Sequence, residues 1–169
     1  SHVSPAFAEI LKETLRDLST IFMSKGLILP ITGSGTLGAE VALANVIEPQ
    51  DSVLAVSGGY FGDRLADIAA TLGANVDRIN VPWGSAIKQE LVREKLASKR
   101  YKALLVVHVD TSTGVANPIR ELGALAKSSD VLYIVDTVCS MGGIEVRVND
   151  WNIDVCFTGS QKALAVPPG

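Results

Sequence analysis

Two residues of this chain offer the most chemistry: Lys162, in the run Gly159-Ser160-Gln161-Lys162-Ala163-Leu164, and Asp136, which closes the apolar run Val131-Leu132-Tyr133-Ile134-Val135. A lysine amine forms a Schiff base with an aldehyde, and a carboxylate beside a pyridinium nitrogen keeps that nitrogen protonated. These are the two protein groups that pyridoxal phosphate chemistry needs. A carboxylate about 3 Å from a pyridinium, at an effective dielectric of about 20, gives a Coulomb term of roughly 5 kcal/mol before desolvation. That is enough to make the ring an electron sink. Phe157, Leu164 and Val166 flank Lys162, so the lysine is expected to be partly buried, with desolvation freeing its amine for reaction.

Other segments carry polar groups suited to a ligand. Gly33-Ser34-Gly35-Thr36-Leu37-Gly38 has the G-x-G-x-x-G spacing. As a dinucleotide fingerprint, that spacing requires an acidic residue at the end of the next strand, about twenty residues on. The next strand instead ends in Ser57-Gly58-Gly59, and Asp51 lies before it. What survives is a helix N-terminus with the Ser34 and Thr36 hydroxyls, suited to a phosphate, or else a tight turn with no ligand. Tyr60 and Phe61 follow the glycine pair, where an aromatic face serves either a flat cofactor ring or the core. In His108-Val109-Asp110-Thr111-Ser112-Thr113-Gly114, Thr111 or Thr113 can donate to a bound ring, or the loop can simply lead into the next helix. A hydrolytic triad of Ser112, His108 and Asp136 lacks the G-x-S-x-G frame that would expose its serine.

The elements that must position these groups follow from periodicity. Ser4 suits an N-cap and Pro5 a first helical position, with apolar residues recurring at Phe7, Ile10, Leu11, Leu15, Leu18 and Phe22. An apolar run at 27–31 reads as a short strand leading into the glycine motif, followed by a helix over 37–47. Strands are expected at 53–56, 76–81, 103–109, 131–135 and 154–157, with helices at 61–72, 86–97 and 118–126. Continuously apolar strands separated by single amphipathic helices imply one α/β domain: a mostly parallel sheet with helices on both faces. Ligands in such folds bind outside the carboxyl ends of the strands. That rule brings Ser34 to Thr36, Phe61, the 108–113 loop, Asp136 and Lys162 to one crevice.

Composition narrows the classes. The chain is 47% hydrophobic and 20% charged, with a net charge of −3 and no basic block, so nothing favours nucleic acid or an anionic membrane surface. Cys139 and Cys156 lack metal-type spacing and fit a reduced, cytoplasmic protein. No apolar stretch is long enough for a transmembrane helix. The chain opens without Met and stops at Pro167-Pro168-Gly169, and it is expected to be part of a larger protein.

Together the segments resemble the class V branch of fold-type I pyridoxal phosphate-dependent aminotransferases, nearest to the alanine–glyoxylate, serine–glyoxylate and serine–pyruvate enzymes. The similar segments are Ser1-His2-Val3-Ser4-Pro5, Thr32-Gly33-Ser34-Gly35-Thr36, Gly59-Tyr60-Phe61-Gly62-Asp63-Arg64, Asp110-Thr111-Ser112-Thr113-Gly114, the stretch from Val135 to Gly143, and Gly159-Ser160-Gln161-Lys162-Ala163-Leu164. They occur in family order along essentially the whole chain. By that resemblance Lys162 forms the internal aldimine and shuttles a proton, and Asp136 pairs with the ring nitrogen. Ser34, Gly35, Thr36 and Gln161 hold the phosphate or its surroundings, Phe61 stacks on the ring, and Thr111 bonds near its 3′-oxygen. The implied reaction is amino transfer from alanine or serine to glyoxylate or pyruvate, in a homodimer. The resemblance also implies that residues 1–169 are part of the cofactor-binding large domain. A small domain outside them would supply the arginine that binds the substrate carboxylate. Val3 stands where relatives often carry Arg, and Phe61 where some carry Trp. A lyase or desulfurase of the same fold, or a non-catalytic cofactor-binding fragment, are the alternatives.

Overall fold

Among the described residues, the apolar runs become five parallel strands: β1 (Ser52–Ser57), β2 (Asn75–Asn80), β3 (Ala103–Val107), β4 (Leu132–Asp136) and β5 (Val155–Phe157). The structure, a computed structural model, describes residues 3–168, so Ser1 and His2 of the leading segment lie outside the described residues. The strands form one sheet in the order β2-β1-β3-β4-β5. Its register pairs Val107 with Asp136 and Asp136 with Phe157, which brings the carboxyl ends of β3, β4 and β5 level with one another.

Among the described residues, five helices accompany the sheet: α1 (Pro5–Phe22), α2 (Gly35–Ala44), α3 (Tyr60–Thr71), α4 (Gln89–Ser98) and α5 (Ile119–Ser128). Side chains alternate across a strand, and β1 divides accordingly. Val53 and Ala55 pack with Leu43 of α2 and Leu65 and Ala69 of α3. Leu54 and Val56 pack with Val92 and Leu96 of α4 and Ile119 and Leu122 of α5. Covered on both faces, β3 is buried throughout, which is why its sequence shows no polar alternation.

Gly123 lies on the buried side of α5, and a Cβ built there would collide with the Trp151 backbone carbonyl. An exposed helical Gly→Ala change gains about 1 kcal/mol. Gly123→Ala should instead lose about 1–3 kcal/mol, because the obstacle is backbone and cannot rotate away. Chemical denaturation checks the sign, and a stabilised variant would show that α5 can lift off the 147–151 turn.

At the N-terminus, Ser4 caps α1 by accepting from the Phe7 N–H, and Pro5 occupies the first helical position. No residue of α1 is buried, and Phe7 and Ile10 are exposed. The apolar run at 27–31 departs from expectation. It joins no strand, and Leu27, Leu29 and Ile31 are exposed. Pro30 within it has no N–H to give a sheet ladder. Two further boundaries move for identifiable reasons. β3 stops at Val107 because Val109 turns away to bridge Ala116 in antiparallel fashion. α4 begins at Gln89 rather than at 86, with the Ile87 N–H donating instead to Asn117 Oδ1.

Candidate active site

A cavity of about 210 Å³ opens at the carboxyl ends of the strands. β1 leads outward to β2 while β3 leads the other way to β4, so the crevice lies where the winding direction reverses. Open α/β sheets bind ligands at such a point. Every site residue that the family resemblance implies lines this cavity. Ser34, Gly35 and Thr36 come from the start of α2, Phe61 from the start of α3 and Thr111 from the loop after β3. Asp136 is the last residue of β4, and Gln161 and Lys162 lie in the turn after β5.

Asp136 is 8% exposed. Its Oδ1 accepts from the Val138 N–H at 2.8 Å, and no described residue donates to Oδ2. Burial pushes its carboxyl up to about 6, assisted by the charge of Asp110 and opposed by the Val138 hydrogen bond. A buried carboxylate without a cation is costly, so this end of the cavity suits a positively charged ring nitrogen. The α2 wall has the opposite character. Ser34 is the N-cap and accepts from the Leu37 N–H, while the N–H groups of Gly35 and Thr36 have no carbonyl one turn back to receive them. A Cβ on Gly35 would come within 3.0 Å of Val138 Cγ2, so a side chain there would press on Val138. A helix start with free N–H groups and two hydroxyls suits a phosphate, and the residues present fit pyridoxal phosphate at both ends.

Phe61 is half-buried and meets Tyr60 edge-on, with ring centroids 5.2 Å apart, and of the two aromatics only Phe61 lines the cavity. Thr111 Oγ1 lies 2.7 Å from Cys139 Sγ. Thr113 turns elsewhere, accepting from the Val115 N–H. Lys162 corrects one expectation: it is exposed at the cavity rim, not partly buried. The 160–164 turn packs Leu164 against the core but leaves Lys162 outward, closed by Ala165 N–H donating to the Lys162 carbonyl at 2.9 Å, and Val166 is exposed with it.

A hydrolytic triad does not form. Ser112 Oγ donates to Asp110 and accepts from the Tyr60 N–H. His108 is buried with Nδ1 unpartnered, and burial pushes its imidazole down to about 4. Arg64 and Cys139 line the cavity too, and sequence reasoning did not single out either as a site residue. Helical spacing carried the signal for Arg64, which lies one turn after Phe61 on the same face of α3. Cys139 follows Asp136 within the loop that must pass the cavity mouth. The other cysteine, Cys156, is pushed up to about 12 by burial, so its thiol is not a nucleophile here.

Comparison with known proteins agrees with this geometry. The model of the family described as aminotransferase class-V matches residues 3–169. An uncharacterized aminotransferase of Methanocaldococcus jannaschii is 43% identical over 99% of this chain, which corresponds to 44% of that protein. The (S)-ureidoglycine–glyoxylate transaminase of Bacillus subtilis is 40% identical over 98% of this chain and 40% of its own length. The crystal structure of an alanine–glyoxylate aminotransferase from Nostoc sp. superimposes with a TM-score of 0.95 at 37% identity, covering 99% of this chain and 45% of that one. The chain thus spans less than half the length of these relatives. It belongs to the class V aminotransferases, a family whose cofactor is pyridoxal phosphate.

Proposed function

We propose that this chain is the cofactor-binding part of an aminotransferase that moves an amino group between alanine or serine and glyoxylate or pyruvate. One observation carries the reading: a lysine, a buried acid and a helix N-terminus with free N–H groups converge on a single cavity. Pyridoxal phosphate supplies an aldehyde for the amino group and a ring that withdraws electrons from the substrate Cα. Lys162 Nζ is the amine that would hold the aldehyde and that would accept the proton leaving the substrate Cα. Asp136 holds the proton on the ring nitrogen. Ser34, Gly35, Thr36 and Gln161 bind the phosphate, Phe61 orients the ring by its face, and the Thr111 hydroxyl donates to the ring oxygen.

The group that binds the substrate carboxylate is assigned to sequence outside these residues, since the relatives are more than twice as long. The reading extends to a cytoplasmic homodimer. The exposed apolar residues of α1 and the 27–31 segment support an assembly that covers them, and the two cysteines are free. No helix among the described residues is long and apolar enough to cross a membrane.

The test is the half-reaction in the full-length protein. Stoichiometric alanine or serine should convert bound pyridoxal phosphate to pyridoxamine phosphate, and glyoxylate or pyruvate should reverse the change. Release of ammonia or sulfide without any requirement for an oxo acid would instead mark a lyase of the same fold.

A further inference from the structure

Asp110 is 3% exposed and lies outside the set of residues that line the cavity, yet it makes more side-chain hydrogen bonds than any residue that does. Its Oδ2 accepts from the Phe61 N–H at 3.0 Å and the Gly62 N–H at 3.1 Å. Its Oδ1 accepts from the Ser112 N–H at 3.0 Å and the Ser112 hydroxyl at 2.7 Å. Ser112 Oγ in turn accepts from the Tyr60 N–H at 3.0 Å. A helix start leaves its first N–H groups without intrahelical partners. α3 has no side-chain cap of its own, because its N-cap is Gly59. The loop after β3 therefore satisfies all three leading N–H groups of α3 from outside the helix.

The approach is close. A Cβ on Gly59 would lie 2.5–2.8 Å from the Asp110 carboxyl group, so the glycine is what lets the carboxylate reach the helix. An acid at this position also suits the positive end of the helix dipole. Only a carboxylate accepts on both oxygens. An asparagine would turn its NH₂ group against either the Phe61 and Gly62 N–H groups or those of Ser112.

We propose that Asp110 is a positioning residue for the cofactor site. Braced on Ser112, its carboxylate fixes the first turn of α3 and with it the Phe61 ring on the cavity wall. The inference rests on the cofactor reading given above and adds to it a role that no cavity-lining residue has.

The experiment uses the full-length protein as wild type, Asp110→Asn, Phe61→Ala and the double variant. It measures the dissociation constant of pyridoxal phosphate and the amide hydrogen exchange of residues 60–62. Asp110→Asn should weaken cofactor binding ~10-fold, as loss of charge-assisted hydrogen bonds implies, and should speed exchange at those amides. The losses from Asp110→Asn and Phe61→Ala should not add in the double variant, because one acts through the other. Ile153→Val, a core change away from the cavity, controls for general destabilisation and should leave both readouts unchanged. Additive losses, or cofactor affinity and exchange in Asp110→Asn equal to wild type, overturn the proposal. Wild-type protein that takes up no cofactor would overturn the functional reading as well, so the two failures are distinguishable.

Discussion

In the full-length protein, Lys162→Ala is expected to lower transamination by at least ~10²–10⁴-fold, the range associated with losing a positioned proton-transfer group, and the lost covalent link adds to that. The fold should hardly notice. Lys162 is exposed, its side chain makes no hydrogen bond or ion pair with any described residue, and surface substitutions of this kind usually stay within about 0.5 kcal/mol. Lys162→Arg sharpens the test. It keeps a positive charge and a long stem, but a guanidinium remains protonated and forms no imine with an aldehyde. Steady-state rates and thermal melts of both variants give the answer. Activity within tenfold of wild type in either variant would remove Lys162 from the chemistry, and a large drop in melting temperature would mean that the residue is structural.

Asp136→Asn should move activity and stability in opposite directions. Burial raises the folded-state carboxyl to about 6, above the ordinary carboxylate range near 4. Between those values the folded protein without cofactor holds a proton that the unfolded chain has released. Its stability therefore falls as pH rises through that window. The cost is absent below the unfolded value and complete above about 6, where a shift of this size corresponds to on the order of 3 kcal/mol. Asparagine carries no charge and still offers Val138 an amide oxygen. The cofactor-free variant should be more stable than wild type at pH 7, with the advantage fading as pH approaches 4. Activity should fall by ~10²–10³-fold, comparable to losing one preorganised electrostatic group in an active site. Parallel stability curves across pH would show that Asp136 is already compensated by another charge. Unchanged activity would show that the ring nitrogen needs no acid partner.

Most parts of this site that could be read from the sequence share one property: they follow strand ends. Asp136 closes an apolar run and Phe61 follows a glycine pair. Once the alternation of strands and helices is recognised, the parallel sheet collects both at one edge, together with Ser34 to Thr36, Thr111, Gln161 and Lys162. What stayed hidden depends on three-dimensional partners. Apolar flanks suggest burial for Lys162, but within its turn it is Leu164 that packs on the core, and Lys162 is left exposed. Apolar character likewise suggested a strand at 27–31, where Pro30 and the lack of a neighbour leave an unpaired segment. Asp110 looked like one more polar loop residue. Its importance arises because Gly59, far away in sequence, leaves room for its carboxylate.

The most direct measurement is to load the full-length protein with pyridoxal phosphate, reduce it with borohydride and locate the pyridoxyl group by peptide mass. An adduct confined to the peptide containing Lys162, and lost in Lys162→Ala, is the result this account predicts. Folded protein with the adduct on another lysine, scattered over several lysines or absent would contradict it.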